Sequence, residues 1–169
     1  METQYPEIPE YIKELIASGT GIDEILIDKE GVWYHNGEKF INEKIINFFS
    51  RSVNVTADGE YVIHYGTYTY PIKVEDVPFF ITGVTFNGFG NFETISLNLS
   101  SGETEELNCS SLYCKKNNAL YCRVKNGLMP AKFKRSPSFN ILERLEESAD
   151  GKFYLRLCGQ IIELIVKDE

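Results

Sequence analysis

The apolar residues of this chain recur mostly in short alternating runs, which predict strands rather than long helices. The run ILID at 25–28 leads into VWYH at 32–35, and the Asn36-Gly37 pair after it is a strong signal for a hairpin turn. Further runs of strand character lie at 38–41, 60–66, 67–74, 79–86, 93–99, 104–109, 119–125, 128–134, 152–158 and 160–166. The pattern therefore predicts a chain of many short strands joined by tight turns.

Helical spacing of apolar residues is confined to a few segments. The predicted helices are 9–18, the segment that begins at Asn42, and 138–147. Asn42 is a favourable N-cap, because its side chain can accept from the free N–H groups of the first turn. Ser136 and Pro137 suit the N-cap and the first turn of the last helix.

The two halves of the chain repeat the same order of elements. A hairpin with Asn-Gly, a capped helix, an Ala-Asp-Gly turn and two strands occur in both halves. From the turn at 57–59 to the last strand, the offset between the halves is 92 residues (150 − 58 and 168 − 76). This ordered match predicts a tandem duplication.

The predicted fold class is α+β, mainly β, with two related halves. Each half is expected to be a curved antiparallel sheet with one covering helix. The predicted organisation is an N-terminal helix within residues 1–20, a first repeat over 21–92, and a second repeat over 93–169. Neither half alone buries much apolar surface, so we expect them to pack together as one compact unit.

Composition and charge narrow the range of partners. The formal net charge of −8 disfavours nucleic-acid binding, and Lys132, Lys134 and Arg135 form the one dense basic group. No apolar stretch approaches the length of a membrane span, so no membrane partner is predicted. The acidic N-terminal segment lacks the plan of a secretory signal, which predicts a cytoplasmic protein with four reduced cysteines.

No motif for metal, cofactor or catalytic chemistry stands out. The spacing of the cysteines, with Cys109 and Cys114 the closest pair, does not match the paired ligands of a zinc site. The sequence has no G-x-S-x-G elbow and no phosphate-binding glycine loop before a helix. We therefore predict no catalytic residue, no metal and no cofactor, although a Cys158–His64 pair would be the place to look for an unrecognised enzyme site.

Two long stretches resemble a known bacterial family. They are GVWYHNGEKFINEKIINFF followed by EYVIHYGTYTYPIKVEDVPF, and ALYCRVKNGLMPAKFKRSPSFNILERLEE followed by GKFYLRLCGQIIEL. Together they resemble domain of unknown function 1285 over residues 21–167. The resemblance implies a fold of repeated structural motifs and a suggested role in signalling or ligand sensing. It implies no enzymatic activity and carries over no functional residue.

The expected function is that of a non-catalytic ligand- or partner-binding module. The residues predicted to line its site are Trp33, His35, His64 and Arg156, of which His64 and Arg156 are equivalent in the two repeats (156 − 64 = 92). In the competing interpretation, aromatic side chains such as Trp33 form the core and His64 and Arg156 face water. A small molecule or a protein is the expected partner, and a homo-oligomeric scaffold or an enzyme with an unrecognised site remain the alternatives.

Overall fold

A computed structural model describes residues 24–65 and 68–167 of the chain. The helix predicted over 9–18 lies outside these residues. The chain divides into two compact units, of which the first ends at Pro78 and the second begins at Phe79.

The described residues of the first unit form one helix and seven short strands. Its elements are β1 (Ile25–Ile27), β2 (Trp33–His35), β3 (Glu38–Lys39), α1 (Glu43–Arg51), β4 (Val53–Val55), β5 (Tyr61–Tyr65), β6 (Tyr68–Pro71) and β7 (Lys73–Val74). They form a four-stranded sheet of order β3-β2-β1-β7 and a three-stranded sheet of order β4-β5-β6. Within the first sheet, β1 and β7 run parallel, with Ile27 opposite Val74.

Aromatic residues of α1 and β2 form much of the core of the first unit. Phe48 and Phe49 of α1 are fully buried, and the indole of Trp33 stacks on Phe49 with ring centroids 6.0 Å apart. Phe40 meets Phe49 edge-on at 5.6 Å. The apolar stripe of α1 therefore packs on the hairpin that precedes it, as amphipathic spacing requires.

The second unit is larger, and its described residues include one α-helix. Its elements are β8 (Phe79–Asn87), β9 (Thr94–Leu99), β10 (Thr104–Glu106), β11 (Tyr113–Lys115), β12 (Leu120–Val124), β13 (Met129–Phe133), α2 (Arg135–Leu142), β14 (Leu145–Glu147), β15 (Phe153–Leu157), β16 (Gln160–Glu163) and β17 (Val166–Lys167). Two single-turn 3-10 helices cover Gly90–Phe92 and Cys109–Ser111. The sheets are a seven-stranded one of order β10-β9-β8-β13-β12-β11-β17 and a three-stranded one of order β14-β15-β16.

Alternation along the strands of the seven-stranded sheet provides the core of the second unit. Ile95, Leu97 and Leu99 of β9 are buried at every second position, and β13 buries Met129, Ala131 and Phe133 in the same way. Tyr121 of β12 is fully buried and stacks on Tyr113 of β11 at 5.3 Å. Helix α2 packs on β8 and β13.

The second unit repeats the order of elements of the first. The series β1-β2-β3-α1-β4-β5-β6-β7 corresponds to β11-β12-β13-α2-β14-β15-β16-β17, and from the helix through β16 the offset is 92 residues. The parallel pair β11 and β17 corresponds to β1 and β7. This order is the one that the proposed duplication predicts.

The fold class α+β, mainly β, is confirmed, while the sheets differ from the prediction in two respects. Each repeat contributes to two sheets instead of one, because the chain passes from the three-stranded sheet back to the first sheet between β6 and β7, and again between β16 and β17. The runs 67–74 and 160–166 are therefore each two strands. The sheets also include the parallel pairs β1–β7, β11–β17 and β8–β13.

The boundary between the two units falls after Pro78. The boundary predicted between the repeats lies between residues 92 and 93. The strand β8 (Phe79–Asn87) pairs with β9 and with β13, so its hydrogen bonds belong to the second unit. The strands β8, β9 and β10 have no counterpart among the described elements of the first unit.

The helix predicted over 138–147 is wrong in both of its ends. Helix α2 begins at Arg135 with Lys134 as an N-cap without a side-chain bond, so Ser136 and Pro137 lie inside the helix. It ends at Leu142, and Leu145–Glu147 form β14, paired with β15. The three residues of β14 are all exposed, so strand alternation could not reveal them, and pairing with β15 decides their conformation.

We expect the N-cap of α1 to contribute measurably to stability. The Asn42 carboxamide oxygen accepts from the N–H groups of Lys44 and Ile45 at 2.9 and 3.2 Å. Asn42→Ala should lower the free energy of unfolding by about 1 kcal/mol in chemical denaturation. Asn47→Ala, the same change inside α1, is the control and should be neutral or stabilising, because alanine has the higher helix propensity. Equal denaturation midpoints for the two variants would contradict this role of Asn42.

Candidate functional site

An open cleft of about 960 Å³ lies within the second unit. One side is the loop that joins β8 to β9, and the other is the three-stranded sheet β14-β15-β16 with the residues that enter it from α2. Its lining residues are Phe86, Gly88, Phe89, Gly90, Asn91, Glu93, Glu143, Arg144, Leu145, Glu146, Arg156, Cys158, Gly159, Gln160 and Ile161. Its volume is at the upper end of the range that small-molecule sites occupy.

The Glu93–Arg144 ion pair joins the two sides of the cleft. The Arg144 guanidinium donates to both carboxylate oxygens of Glu93, at 2.9 and 2.7 Å, in the bidentate arrangement. The Glu93 side chain is only 7% exposed, and it also accepts the backbone N–H of Cys158 at 2.8 Å. One buried carboxylate therefore ties the β8–β9 loop to the α2–β14 junction and to the β15–β16 turn.

The same pair fixes the ionisation of both groups. Hydrogen bonding from Arg144 is the main cause that holds the pKa of Glu93 below its ordinary value, against the effect of burial. The bond to Glu93 in turn raises the pKa of Arg144. The guanidinium also lies over the Phe86 ring, 4.6 Å from its centroid. Both charges are thus permanent features of the cleft near neutral pH.

A second ion pair lies at the exposed edge of the cleft. Arg156 of β15 donates to both carboxylate oxygens of Glu146 on β14, at 3.1 and 3.3 Å. The two side chains are 60% and 55% exposed. The hydrogen bond from Arg156 lowers the pKa of Glu146, whose carboxylate is therefore ionised and paired.

Apolar side chains line the cleft beside these charges. Phe89 and Ile161 are 89% and 62% exposed, and Leu145 is also exposed. Exposed apolar side chains within a concave site are typical of binding surfaces, because a ligand there would remove them from water. The cleft therefore combines an apolar lining with paired charges.

Close backbone contact holds the two sides together at Gly159. Cys158 and Gly159 form the β15–β16 turn with φ values of +54° and +73°. A Cβ on Gly159 would lie 2.7 Å from the Asn91 Cα, a distance that no side chain can occupy. Glycine is thus required here for the approach of the turn to the β8–β9 loop.

Of the residues predicted from the sequence to line a site, Arg156 lies in this cleft. Trp33 is 4% exposed and belongs to the core of the first unit. His35 stacks on Phe40 with centroids 5.8 Å apart, and the exposed His64 contacts the Thr69 hydroxyl through Nδ1 at 3.2 Å. All three belong to the first unit, and none of them lines the cleft.

Sequence reasoning missed the charged and aromatic centre of the cleft. Glu93 and Arg144 are 51 residues apart and neither lies in a motif, so nothing in the pattern pairs them. Glu146 falls within the helix predicted over 138–147 and lies instead on β14. The one available signal was the Cys158-Gly159 dipeptide after a strand run, which indicates a turn that needs positive φ.

Residues 24–65 and 68–167 contain no cluster of three or more His, Cys, Asp or Glu side chains suited to a metal ion. No helix in the part of the chain that the structure describes is long and apolar enough to cross a membrane.

The fold and the cleft define a mainly-β α+β protein with repeated elements, and two solved structures share this fold. A DUF1285 family protein from Silicibacter pomeroyi DSS-3 aligns with a TM-score of 0.70 at 20% identity, over 83% of this chain and 79% of that one. A DUF1285 family protein from Shewanella baltica OS155 aligns with a TM-score of 0.57 at 19% identity, over 70% of this chain and 90% of that one. No protein-family model and no curated protein matches the sequence. The predicted resemblance to this family is therefore confirmed as a shared fold.

We expect the Glu93–Arg144 pair to stabilise the second unit. Glu93→Gln should lower the free energy of unfolding by about 1–3 kcal/mol, because it leaves the Arg144 charge without its partner. Glu146→Gln, which breaks the exposed pair with Arg156, is the matched control and should have little effect. Chemical denaturation at neutral pH measures both, and equal losses would contradict the special role of Glu93.

The pair also predicts a pH dependence. The folded-state pKa of Glu93 lies below its ordinary value of 4.5, so its stabilising contribution is present above that pH and is lost as the pH falls through the lower folded-state value. Wild-type protein should therefore lose stability more steeply below pH 4.5 than Glu93→Gln. Denaturation midpoints measured over this range test the sign, and parallel curves would contradict it.

Proposed function

We propose that this protein is a non-catalytic binding module whose ligand occupies the cleft of the second unit. The observation that carries the proposal is the combination, in one open cleft, of exposed apolar side chains with a rigid ion pair. Phe89 and Ile161 offer apolar contact, while Glu93 and Arg144 fix the geometry around them. Small-molecule sites combine an apolar lining with a few positioned polar groups in this way.

The state of the charged groups favours binding over catalysis. Glu93 and Glu146 each accept two hydrogen bonds from an arginine, and the pKa of each is lowered. A general acid needs a carboxyl group whose pKa is raised towards neutrality, which is the opposite shift. Glu93 and Glu146 therefore resemble structural groups that maintain the shape of a binding site.

The charge balance of the cleft indicates the kind of ligand. Its lining has three carboxylates, Glu93, Glu143 and Glu146, and two guanidiniums, Arg144 and Arg156, which leaves one net negative charge. Glu143 is exposed and is not part of either ion pair of the cleft. The whole chain carries a formal charge of −8. We propose a small amphipathic ligand with an aromatic or aliphatic body and an amine or neutral polar group.

A regulatory or signalling role would follow from such a site, as the family resemblance suggested. A ligand that binds only the folded protein stabilises it. A ligand in the cleft would therefore also affect the three segments that Glu93 joins. The fold shared with the two DUF1285 proteins supports the family assignment that underlies this part of the proposal.

The proposal predicts a preference that a matched pair of probes can measure. Phenethylamine should raise the melting temperature and shift the NMR signals of cleft residues at millimolar concentration, while 3-phenylpropionate should do so less. The physical reason is the negative charge of Glu143 beside the apolar lining. Equal response to both probes, or shifts confined to residues outside the cleft, would overturn the proposed ligand class.

Two single substitutions test which aromatic side chain contacts the amine probe. Phe89→Ala should weaken binding of the amine about tenfold, because the ring supplies much of the apolar contact. Phe92→Ala is the matched control, since Phe92 is 88% exposed, lies three residues along the same loop and does not line the cleft. It should leave the affinity unchanged.

A protein partner is the second candidate. Phe89 and Phe92 together place two almost fully exposed aromatic rings on one short loop, which is typical of a protein-docking surface. If this loop binds a protein or a second copy of the chain, Phe92→Ala should weaken the association as much as Phe89→Ala. Concentration-dependent mass by light scattering tests self-association, and binding of the amine probe that depends on Phe89 alone argues against this candidate.

A further inference from the structure

Two cysteines from distant parts of the second unit meet beside the cleft. Cys109 begins the 3-10 turn Cys109–Ser111, and Cys158 occupies the β15–β16 turn. Although 49 residues separate them, the Cys109 thiol contacts the Cys158 sulfur with the two Sγ atoms 3.1 Å apart. A disulfide requires a separation of about 2.05 Å, so a movement of about 1 Å would bring the two atoms to bonding distance.

The two thiols differ in their access to solvent. Cys109 is 5% exposed, whereas Cys158 is half-buried and lines the cleft. Burial, together with the hydrogen bond to Cys158, raises the pKa of the Cys109 thiol well above its usual range. A reagent in the cleft therefore meets Cys158 first, and Cys109 stands behind it.

Hydrogen bonds also fix the position of Cys158. Its backbone N–H donates to the Glu93 carboxylate at 2.8 Å, which fixes the turn. The Arg144 guanidinium binds the same carboxylate, so the turn is tied to the α2–β14 junction as well.

The backbone gives no reason for a cysteine at this position. Cys158 has φ +54°, a conformation that Gly, Asn and Asp adopt most readily. At the equivalent position of the first repeat the sequence has Gly66 (158 − 92). Cysteine is not a favoured turn residue, so its sulfur and its contact with Cys109 offer the better explanation for its place here.

We propose that Cys109 and Cys158 form a redox-active dithiol that a low-molecular-weight disulfide, such as oxidised glutathione, converts to an intramolecular disulfide. The Cys158 thiolate attacks one sulfur of the reagent, forms a mixed disulfide and releases the first small thiolate. The Cys109 sulfur then loses its proton and attacks the Cys158 sulfur, which expels the second small thiolate. Two protein thiols and one reagent disulfide thus give one protein disulfide and two small thiols.

The bond would join the 3-10 turn of Cys109 to the turn beside Gly159 that closes one side of the cleft. It would remove the free thiol of Cys158 from the lining of the cleft and constrain the β15–β16 turn. This site stands on the contact between the two sulfurs and does not depend on the ligand proposed above.

Mass spectrometry of the folded protein tests the proposal directly. Protein treated with oxidised glutathione, then quenched, denatured and alkylated, should carry two alkyl groups instead of four and be lighter by two hydrogen atoms before alkylation. Peptide mapping should show the Cys109–Cys158 link, and dithiothreitol should restore four reactive thiols. The oxidised protein should also melt at a higher temperature, because the cross-link constrains the unfolded chain.

Single substitutions distinguish the role of Cys158, which attacks the reagent, from that of Cys109, which completes the disulfide. Cys109→Ser should stop at a glutathione adduct on Cys158, and Cys158→Ser should acquire neither an adduct on Cys109 nor the link. Cys114→Ser is the matched control, because Cys114 is also half-buried, and it should form the link as wild type does. Circular dichroism checks the fold of each variant, and if Cys109→Ser does not fold, the peptide map of the wild type decides. Four alkylated thiols after oxidation, or a link through Cys114 or Cys122, would overturn the proposal.

Discussion

The fold depends on the return of the last strand of each repeat to the sheet in which that repeat began. Most strands have only two to five residues, and sheets of such short strands are marginal when they stand alone. In the parallel pairs β1–β7 and β11–β17, the last strand of each repeat pairs with its first strand, after the chain has passed through a second sheet. In each repeat, the helix between the two sheets buries its own apolar side chains. These are Phe48 and Phe49 in the first unit and Ile141 in the second.

A single buried carboxylate has a similar importance for the cleft. A charge as deeply buried as that of Glu93 is costly unless it is fully hydrogen-bonded, and here Arg144 and the Cys158 N–H provide three bonds. Glu93 and its two partners come from three separate segments of the second unit, so the requirement of one side chain brings those segments together. The cleft and the contact between Cys109 and Cys158 both lie beside this arrangement.

The two repeats are unequal in ways that bear on function. The second unit has the strands β8, β9 and β10, which have no counterpart among the described elements of the first, and the β8–β9 loop provides Glu93 and Phe89. At the turn position where the second repeat has Cys158, the first has Gly66 in its sequence. Three residues that line the cleft, Phe89, Glu93 and Cys158, therefore lie where the second unit differs from the first.

The sequence by itself determined the class of the fold, because strand alternation, Asn-Gly turns and the cap at Asn42 are local properties of neighbouring residues. It also predicted the repeated order of elements, since equal order and a 92-residue offset are visible without coordinates. It could not show that β14 is a strand, because all three residues of β14 are exposed and only pairing with β15 orders them. The contacts of Glu93 with Arg144, and of Cys109 with Cys158, span 51 and 49 residues and were decided by tertiary structure alone. Side chains so distant in sequence meet only when the sheets that position them have formed, and no local pattern records such a meeting.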